Sequence, residues 1–424
     1  MSAVRFPSLR RLGAALSFGV IEQILLSGSS LAFTAIMAHA LGPFDFGWFS
    51  IAFACLMFME VGGWGLFGDG VPATAGRLPS ARLPCFRTSF LLLSAAYGVV
   101  MLLLTLVVGV VCWRFFPLHC ALAPATGVAF IGLRLQNAAR RLYYLDRRRS
   151  SAVAAAVVNV TLLTGLTALM LFVGDANPAT AMLCLGGASG GAALLFLVRD
   201  RHVLARPSSR ELWWARRRLW KTGRWLLASG AMSWLGNFGA VLIFGALSDV
   251  RASGTLRAAL TLITPPSQIT NVIMSIIVPE NAAVLHRDRR RPWWGLHRRA
   301  LLLIGGCAGS YALAATLSGE RLPLLLFGPV ASDMTRVTVA IVTIGFAFES
   351  LRYACNSVLF AVGYTHILTI STACSLVVGL IGIVLASSSG LTAVLLAMTI
   401  GNNAGTLIVL GYFAVFARRQ RLTG

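Results

Sequence analysis

Within the apolar stretch "FESLRYACN", Glu349, Arg352 and Asn356 stand at i, i+3 and i+7, along one face of a helix. An arginine beside a carboxylate in such a run has two readings. Arg352 serves as ligand or gate for an anionic group, with Glu349 controlling its availability, or the pair neutralises itself and locks helices together. Ionisable groups inside a membrane are costly, so each one is a candidate for function. Glu22, eleven residues beyond Arg11, lies roughly 16 Å further along a helix, with Ser29 on the same face. A carboxyl group at that depth is a candidate for coupling to protons or sodium; the plainer reading is a hydrogen bond to a neighbouring helix.

Polar residues recur at helical spacing elsewhere. Ser229, Ser233 and Asn237 follow at i+4 steps, a stripe that suits either a hydroxylated ligand or helix packing. Pro265 and Pro266 precede Gln268 and Asn271; the prolines should kink the helix and free carbonyls that a cavity or side chain must satisfy. Arg134 lies near Arg140 and Arg141 and is expected to snorkel toward them, while Arg257 is placed at an outer rim. "GNNAG" (401–405) reads as packing or a flexible point.

The elements that position these residues are long apolar runs. The chain has 424 residues, 57% hydrophobic and 12% charged, against roughly 25% charged in a soluble protein. Twelve runs read as 12–38, 47–66, 88–112, 118–139, 151–173, 178–198, 225–247, 254–278, 300–318, 337–361, 364–386 and 390–416, most near the ~20 residues that cross a bilayer. The first is too long for a cleaved signal segment and contains Glu22, so it reads as a retained span. The fold class expected is all-α integral membrane protein, about 12 transmembrane helices in two parallel six-helix lobes around a central cleft.

Charge placement tests that count. Of 36 Lys and Arg, 29 fall in alternate connections and at the termini, five on the other side, and Arg134 and Arg352 inside spans. This asymmetry places both termini in the cytoplasm. The net charge of +22 is therefore concentrated where anionic membrane lipids are met, which argues against nucleic acid as a partner. The longest connection, Arg199 to Arg224, is rich in Arg and Trp and suits a helix lying along the cytoplasmic interface. It divides an N-terminal lobe (1–198) from a C-terminal one (225–424), with 199–224 as linker.

The two lobes carry traces of duplication. An offset of 207 residues puts Gly47 on Gly254, Ala52 on Ala259, and "VPATA" (71–75) on "VPENA" (278–282). With one extra residue, "ALGPFDFG" (40–47) meets "ALSDVRASG" (246–254), so the turn of Gly42, Pro43 and Gly47 has a counterpart. Parallel repeats of this kind suit alternating access, one lobe rocking against the other. Gly42, Pro43, Gly47, Pro265 and Pro266 are the residues expected to shape the gate.

The turn "AHALGPFDFGWFS" (38–50), with Leu41-Gly42-Pro43 and Phe46-Gly47-Trp48, and the run "GTLRAALTLITPPSQITNVIMSIIVPENA" (254–282) resemble the polysaccharide transporters of the multidrug/oligosaccharidyl-lipid/polysaccharide (MOP) exporter superfamily. His39 stands where an arginine is more usual. The resemblance implies a flippase for lipid-linked oligosaccharides, such as undecaprenyl-diphosphate-linked units of O-antigen, lipopolysaccharide or exopolysaccharide, in a bacterial cytoplasmic membrane. Polysaccharide polymerases and glycosyltransferases would be its partners. In such a protein Arg352, Arg257 and Arg134 are candidates for the diphosphate, whose oxygens match the guanidinium fork. Asn356, Asn237, Ser233, Ser229, Gln268 and Asn271 would meet sugar hydroxyls, and Glu22 and Glu349 the coupling H+ or Na+.

The same topology leaves open a cation-coupled multidrug exporter. A membrane-embedded enzyme of polysaccharide assembly is less favoured, because the outer loops are short and lack an acid–base cluster. No nucleophile–base pair, Walker loop or glycine-rich phosphate loop is present, and no cofactor is implied. Eight cysteines lack metal spacing; Cys112 and Cys120 flank one loop and could pair, though packing suits them better.

Overall fold

A computed structural model describes residues 9–63, 65, 70–75, 78–115, 119–146, 148–201, 204–271, 273–274, 293–362 and 364–422. Among them every regular element is helical. Nine helices among the described residues are long and apolar enough to cross a membrane, which makes this a multi-pass membrane protein. The apolar part of the first, α1 (Leu9–Gly63), spans 46 residues, about 69 Å of helix and twice a hydrocarbon core of ~30 Å. It breaks at Gly42, where φ 70° and ψ 172° leave the helical region. A side chain at Gly42 would meet nothing within 4 Å, so backbone conformation is what requires glycine there. Pro43 follows, where a helix start needs no N–H.

Each of the twelve expected runs holds helix, with residues 64, 66, 118, 272 and 275–278 of them outside the described residues. After the two arms of α1 and the short α2 (Gly70–Ala75) come α3 (Leu83–Phe115), α4 (Leu122–Leu145), α5 (Arg149–Val173) and α6 (Pro178–Arg199). A run made of α7 (Ser209–Trp234), a π-helical turn (Leu235–Gly239) and α8 (Ala240–Leu247) follows. Then come α9 (Val250–Thr261), α10 (264–271), α11 (Trp293–Ser318), α12 (Arg321–Phe327), α13 (Arg336–Val362), α14 (Thr365–Ala386) and α15 (Leu391–Leu422). α4 and the α9–α10 pair are the expected spans missing from the nine; α9, of 12 residues, is too short to be counted as a span.

The basic linker differs from its expected form. α7 begins at Ser209, inside the segment assigned to an interfacial helix, and runs without a break toward the seventh span. Its start is a capping box: the Ser208 hydroxyl and backbone N–H both donate to Glu211 Oε2, at 2.9 and 2.7 Å. The apolar face of its first turns is covered by protein, with Ala215 and Leu219 fully buried among Phe86, Phe90, Leu142 and Phe196. Trp213 and Trp220 stay exposed. Amphipathicity in sequence cannot distinguish a lipid surface from a protein one.

The chain separates into two compact units. The first comprises Met1–Ser30, Gly63–Asp175 and Met182–Leu226; the second Leu31–Gly62, Ala176–Ala181 and Leu227–Gly424. Residues 31–62, which chain order assigns to the N-terminal lobe, thus group with the C-terminal half. In the first unit, Asp200 accepts from Tyr143 Oη at 3.0 Å and Arg148 Nη1 at 2.5 Å, and Arg87 pairs with Asp146. Several loop arginines are therefore structural braces.

In the second unit α14 and α15 approach closely through Gly401 and Gly405, spaced as G-x-x-x-G. A Cβ on Gly401 would come within 2.6 Å of the Gly379 Cα. "GNNAG" is thus a packing seam, one of its two expected roles. The Cys120 thiol is free.

The glycines that the 207-residue offset aligns touch one another. A Cβ built on Gly254 would lie 3.1 Å from Gly47 N and 3.3 Å from its Cα, and one on Gly47 would collide with the Val250 carbonyl. Both glycines belong to the second unit, and their close approach leaves no room for a side chain at either position. The second "VPENA" copy (278–282) lies outside the described residues. Gly47→Val should cost about 1–3 kcal/mol through overpacking, read as a lowered melting temperature in detergent. An unchanged melting temperature would show that the contact is dispensable.

Candidate functional site

The expected constellation on α13 forms, and it is braced from two sides. Arg352 Nη2 donates to Glu349 Oε1 at 2.7 Å, and Arg352 Nη1 to Ser375 Oγ on α14 at 3.3 Å. Asn402 Nδ2, from α15, donates to Glu349 Oε2 at 3.1 Å. Both charged side chains are nearly buried, at 13% and 12% exposure. Glu349 and Arg352 therefore tie three helices together, and Asn402, which the sequence offered only as packing, completes the brace. One turn from Arg352, the Asn356 amide oxygen is buried with no hydrogen-bond partner among the described residues.

Arg257 is buried within protein. It lies eight residues beyond Asp249, the N-cap of α9, about 12 Å along the helix, and is 8% exposed. Its guanidinium carbon sits 3.8 Å from the Phe53 ring centroid and 5.4 Å from that of Phe238. Its Nε has no hydrogen-bond partner, and no carboxylate pairs with it among the described residues. Aromatic faces offer a cation roughly 0.5–2 kcal/mol, far less than desolvation of an isolated charge costs.

The neighbouring backbone is irregular. Phe238 and Asn237 belong to the π-helical turn, a local widening frequent at functional sites. Asn237 is exposed and donates to the Ser233 carbonyl at 2.9 Å; Ser233 is exposed too, and the Ser229 side chain lies outside the described residues. Trp234 Nε1 donates to Ala54 O at 2.9 Å, fixing this turn on the second arm of α1. Neither Phe53 nor Phe238 was singled out in the sequence, where phenylalanine in an apolar run carries no signal.

The double proline behaves as expected. α9 ends at Thr261, and helix resumes at 264 with Pro265 half-buried and Pro266 buried. Pro266 has no N–H for the carbonyl four residues back, and the Tyr311 hydroxyl donates to that Leu262 oxygen at 2.5 Å. Gln268 is half-buried and Asn271 exposed. Tyr311→Phe strips the buried carbonyl of its donor and should cost about 1–3 kcal/mol, read as a fall in melting temperature. No shift would mean that another donor takes over.

The remaining candidates lie in the first unit or on α1. Glu22, 1% exposed, pairs with Arg140 and accepts from the Tyr144 hydroxyl, while Arg140 Nη2 also reaches Gln23 Oε1 at 3.2 Å. It is an ion-paired carboxylate with a phenol donor. Arg134 does not snorkel: it is 0% exposed, and its Nη2 donates to Ser94 Oγ at 3.2 Å. Glu60, inside the second expected run and not among the sequence candidates, is buried at 5% exposure. His39 places Nε2 3.3 Å from the Leu325 carbonyl, and a side chain on Gly328 would strike its ring, so it anchors the end of the first arm of α1 to α12.

No protein-family model and no curated protein matches the chain. Solved structures do. An inward-facing multidrug resistance MATE family transporter of the MOP superfamily superposes with TM-score 0.73 over 95% of this chain and 96% of its own, at 15% identity. The chain has the fold of the MOP-superfamily transporters. The lipid II flippase MurJ, in an inward closed conformation, matches with TM-score 0.70, 12% identity, and 93% and 87% coverage. An outward-facing MATE family transporter matches with TM-score 0.69, 14% identity, and 97% coverage of both chains. That fold is one of two lobes of helices.

Proposed function

We propose that this MOP-type chain is a secondary-active flippase, not an enzyme, that carries a lipid-linked oligosaccharide on an undecaprenyl-diphosphate type carrier across a bacterial cytoplasmic membrane. Both termini would lie in the cytoplasm. The observation that carries this reading is Arg257, a buried cation held, among the described residues, by the faces of Phe53 and Phe238. Cation–π contacts are weak beside the charge-assisted, two-pronged hydrogen bonds that a phosphate offers guanidinium. A diphosphate arriving at α9 would draw Arg257 off the rings, and its release would let the cation return.

Arg352 is less suited to be the first phosphate ligand, because Glu349 already occupies it. Asn356 and the exposed Asn237 and Ser233 are proposed to meet sugar hydroxyls. Glu22 is the proposed coupling carboxylate: protonation would release Arg140 and give the proton gradient a point of purchase on α4. A cationic drug, by contrast, would be repelled by an uncompensated arginine.

Deletion of the gene tests the reading. Accumulation of the lipid-linked glycan on the inner leaflet supports it. Unchanged glycan export together with new sensitivity to a cationic dye would replace it with multidrug export.

A further inference from the structure

Apart from the candidate site, the first unit contains a cavity of about 820 Å3 between the start of α3 and the start of α7. Its size is within the 300–1,000 Å3 typical of small-molecule sites. Phe86, Trp213 and Trp214 supply apolar wall, while Arg82, Arg210, Glu211, Ser208 and Ser209 supply polar groups. Ser89 lines it too; it is fully buried, and its hydroxyl has no hydrogen-bond partner. A buried hydroxyl left unsatisfied beside a cavity points to an occupant that accepts or donates there.

The charges favour an anion. Arg82 and Arg210 are exposed, and neither forms an ion pair among the described residues. Glu211 is held first by its own helix start, where the Ser208 backbone N–H, and then its hydroxyl, keep the carboxylate below its ordinary range, with Cys85 and Arg82 of the cavity wall beside it. Its negative charge completes the cap of α7 and leaves a net positive rim. Level matters as well. The apolar span of α3 begins at Leu83, so the cavity lies where membrane meets water. Tryptophan and arginine together are the residues of that boundary.

We propose that this cavity binds one anionic phospholipid, its phosphate between Arg82 and Arg210 and within reach of Ser89, its upper chain against Phe86 and Trp214. The site is separate from Arg257 and does not depend on the substrate of the transporter. It gives the basic surface a defined lipid contact, at the junction where α7 leaves the loop and enters the first unit's core.

Cys85, half-buried on the cavity wall, provides the readout. In the full chain with the other seven cysteines replaced, N-ethylmaleimide alkylation of Cys85 is followed in dodecyl maltoside. Added phosphatidylglycerol should slow alkylation several-fold. Diacylglycerol with the same chains and inorganic phosphate alone should not. Arg82→Gln with Arg210→Gln should remove the protection while keeping the lipid-free alkylation rate, which shows that the variant is folded. Equal rates with phosphatidylglycerol, diacylglycerol and no addition would overturn the proposal. Protection by inorganic phosphate as strong as that by the lipid would overturn the lipid assignment.

Discussion

Arg257→Met is expected to abolish translocation while leaving the protein at least as stable as the parent. The two effects part because the arginine is costly where it stands. It is buried at 8% exposure, lacks a carboxylate among the described residues, and has one nitrogen with no partner. Replacing buried charge with a hydrophobic residue of similar size is often neutral or stabilising by about 1–4 kcal/mol. Methionine also keeps a favourable contact with the rings of Phe53 and Phe238. Transport should suffer heavily. Losing two charge-assisted hydrogen bonds to a diphosphate, at about 1.5–3 kcal/mol each, corresponds to a 100-fold or greater loss. Arg257→Lys keeps the charge but not the planar fork and should fall between. Translocation in proteoliposomes and melting in detergent, at equal protein levels, read both effects. A methionine variant that transports at the parental rate would sink the phosphate latch.

Glu349→Ala is expected to destabilise the second unit by about 3–5 kcal/mol, because it leaves Arg352 buried without its counter-ion. Asn402 loses its acceptor at the same time. The double replacement of Glu349 and Arg352 by alanine should recover most of that loss, since no lone charge remains. Glu349→Gln should be milder, its amide oxygen still accepting from Asn402 or Arg352. Melting temperatures of the two singles and the double form a mutant cycle whose coupling energy measures the brace. A double variant as unstable as Glu349→Ala would show that the pair does not work as a unit. One that melts normally but no longer transports would return Arg352 to the list of substrate ligands.

Much of this was readable from residue order, and the limits have physical causes. The break at Gly42-Pro43 and the kink before Pro265 follow from backbone chemistry that any context must obey. The pair of Glu349 and Arg352 follows from helical spacing alone. The contact of Gly47 with Gly254 joins two positions that the offset between the halves aligns. The burial of Arg257 was not legible because counting from a loop does not show how far a helix reaches before it is covered. Arg134 was expected to snorkel, yet burial depends on neighbours, and its acceptor Ser94 lies 40 residues away. The amphipathic start of α7 fits lipid and protein equally well until its partners are known.

The sequence by itself determined that the chain crosses a membrane many times, that its helices fall where apolar runs exceed a bilayer's thickness, and where they must bend. These depend on local quantities: hydropathy, proline, glycine and charge. Only the tertiary structure decided which charges are neutralised and which are not. Glu22 found Arg140 and Tyr144 more than a hundred residues away, and Glu349 found Asn402. Arg257 found two aromatic rings. The energy of a buried charge is set by groups distant in sequence and adjacent in space.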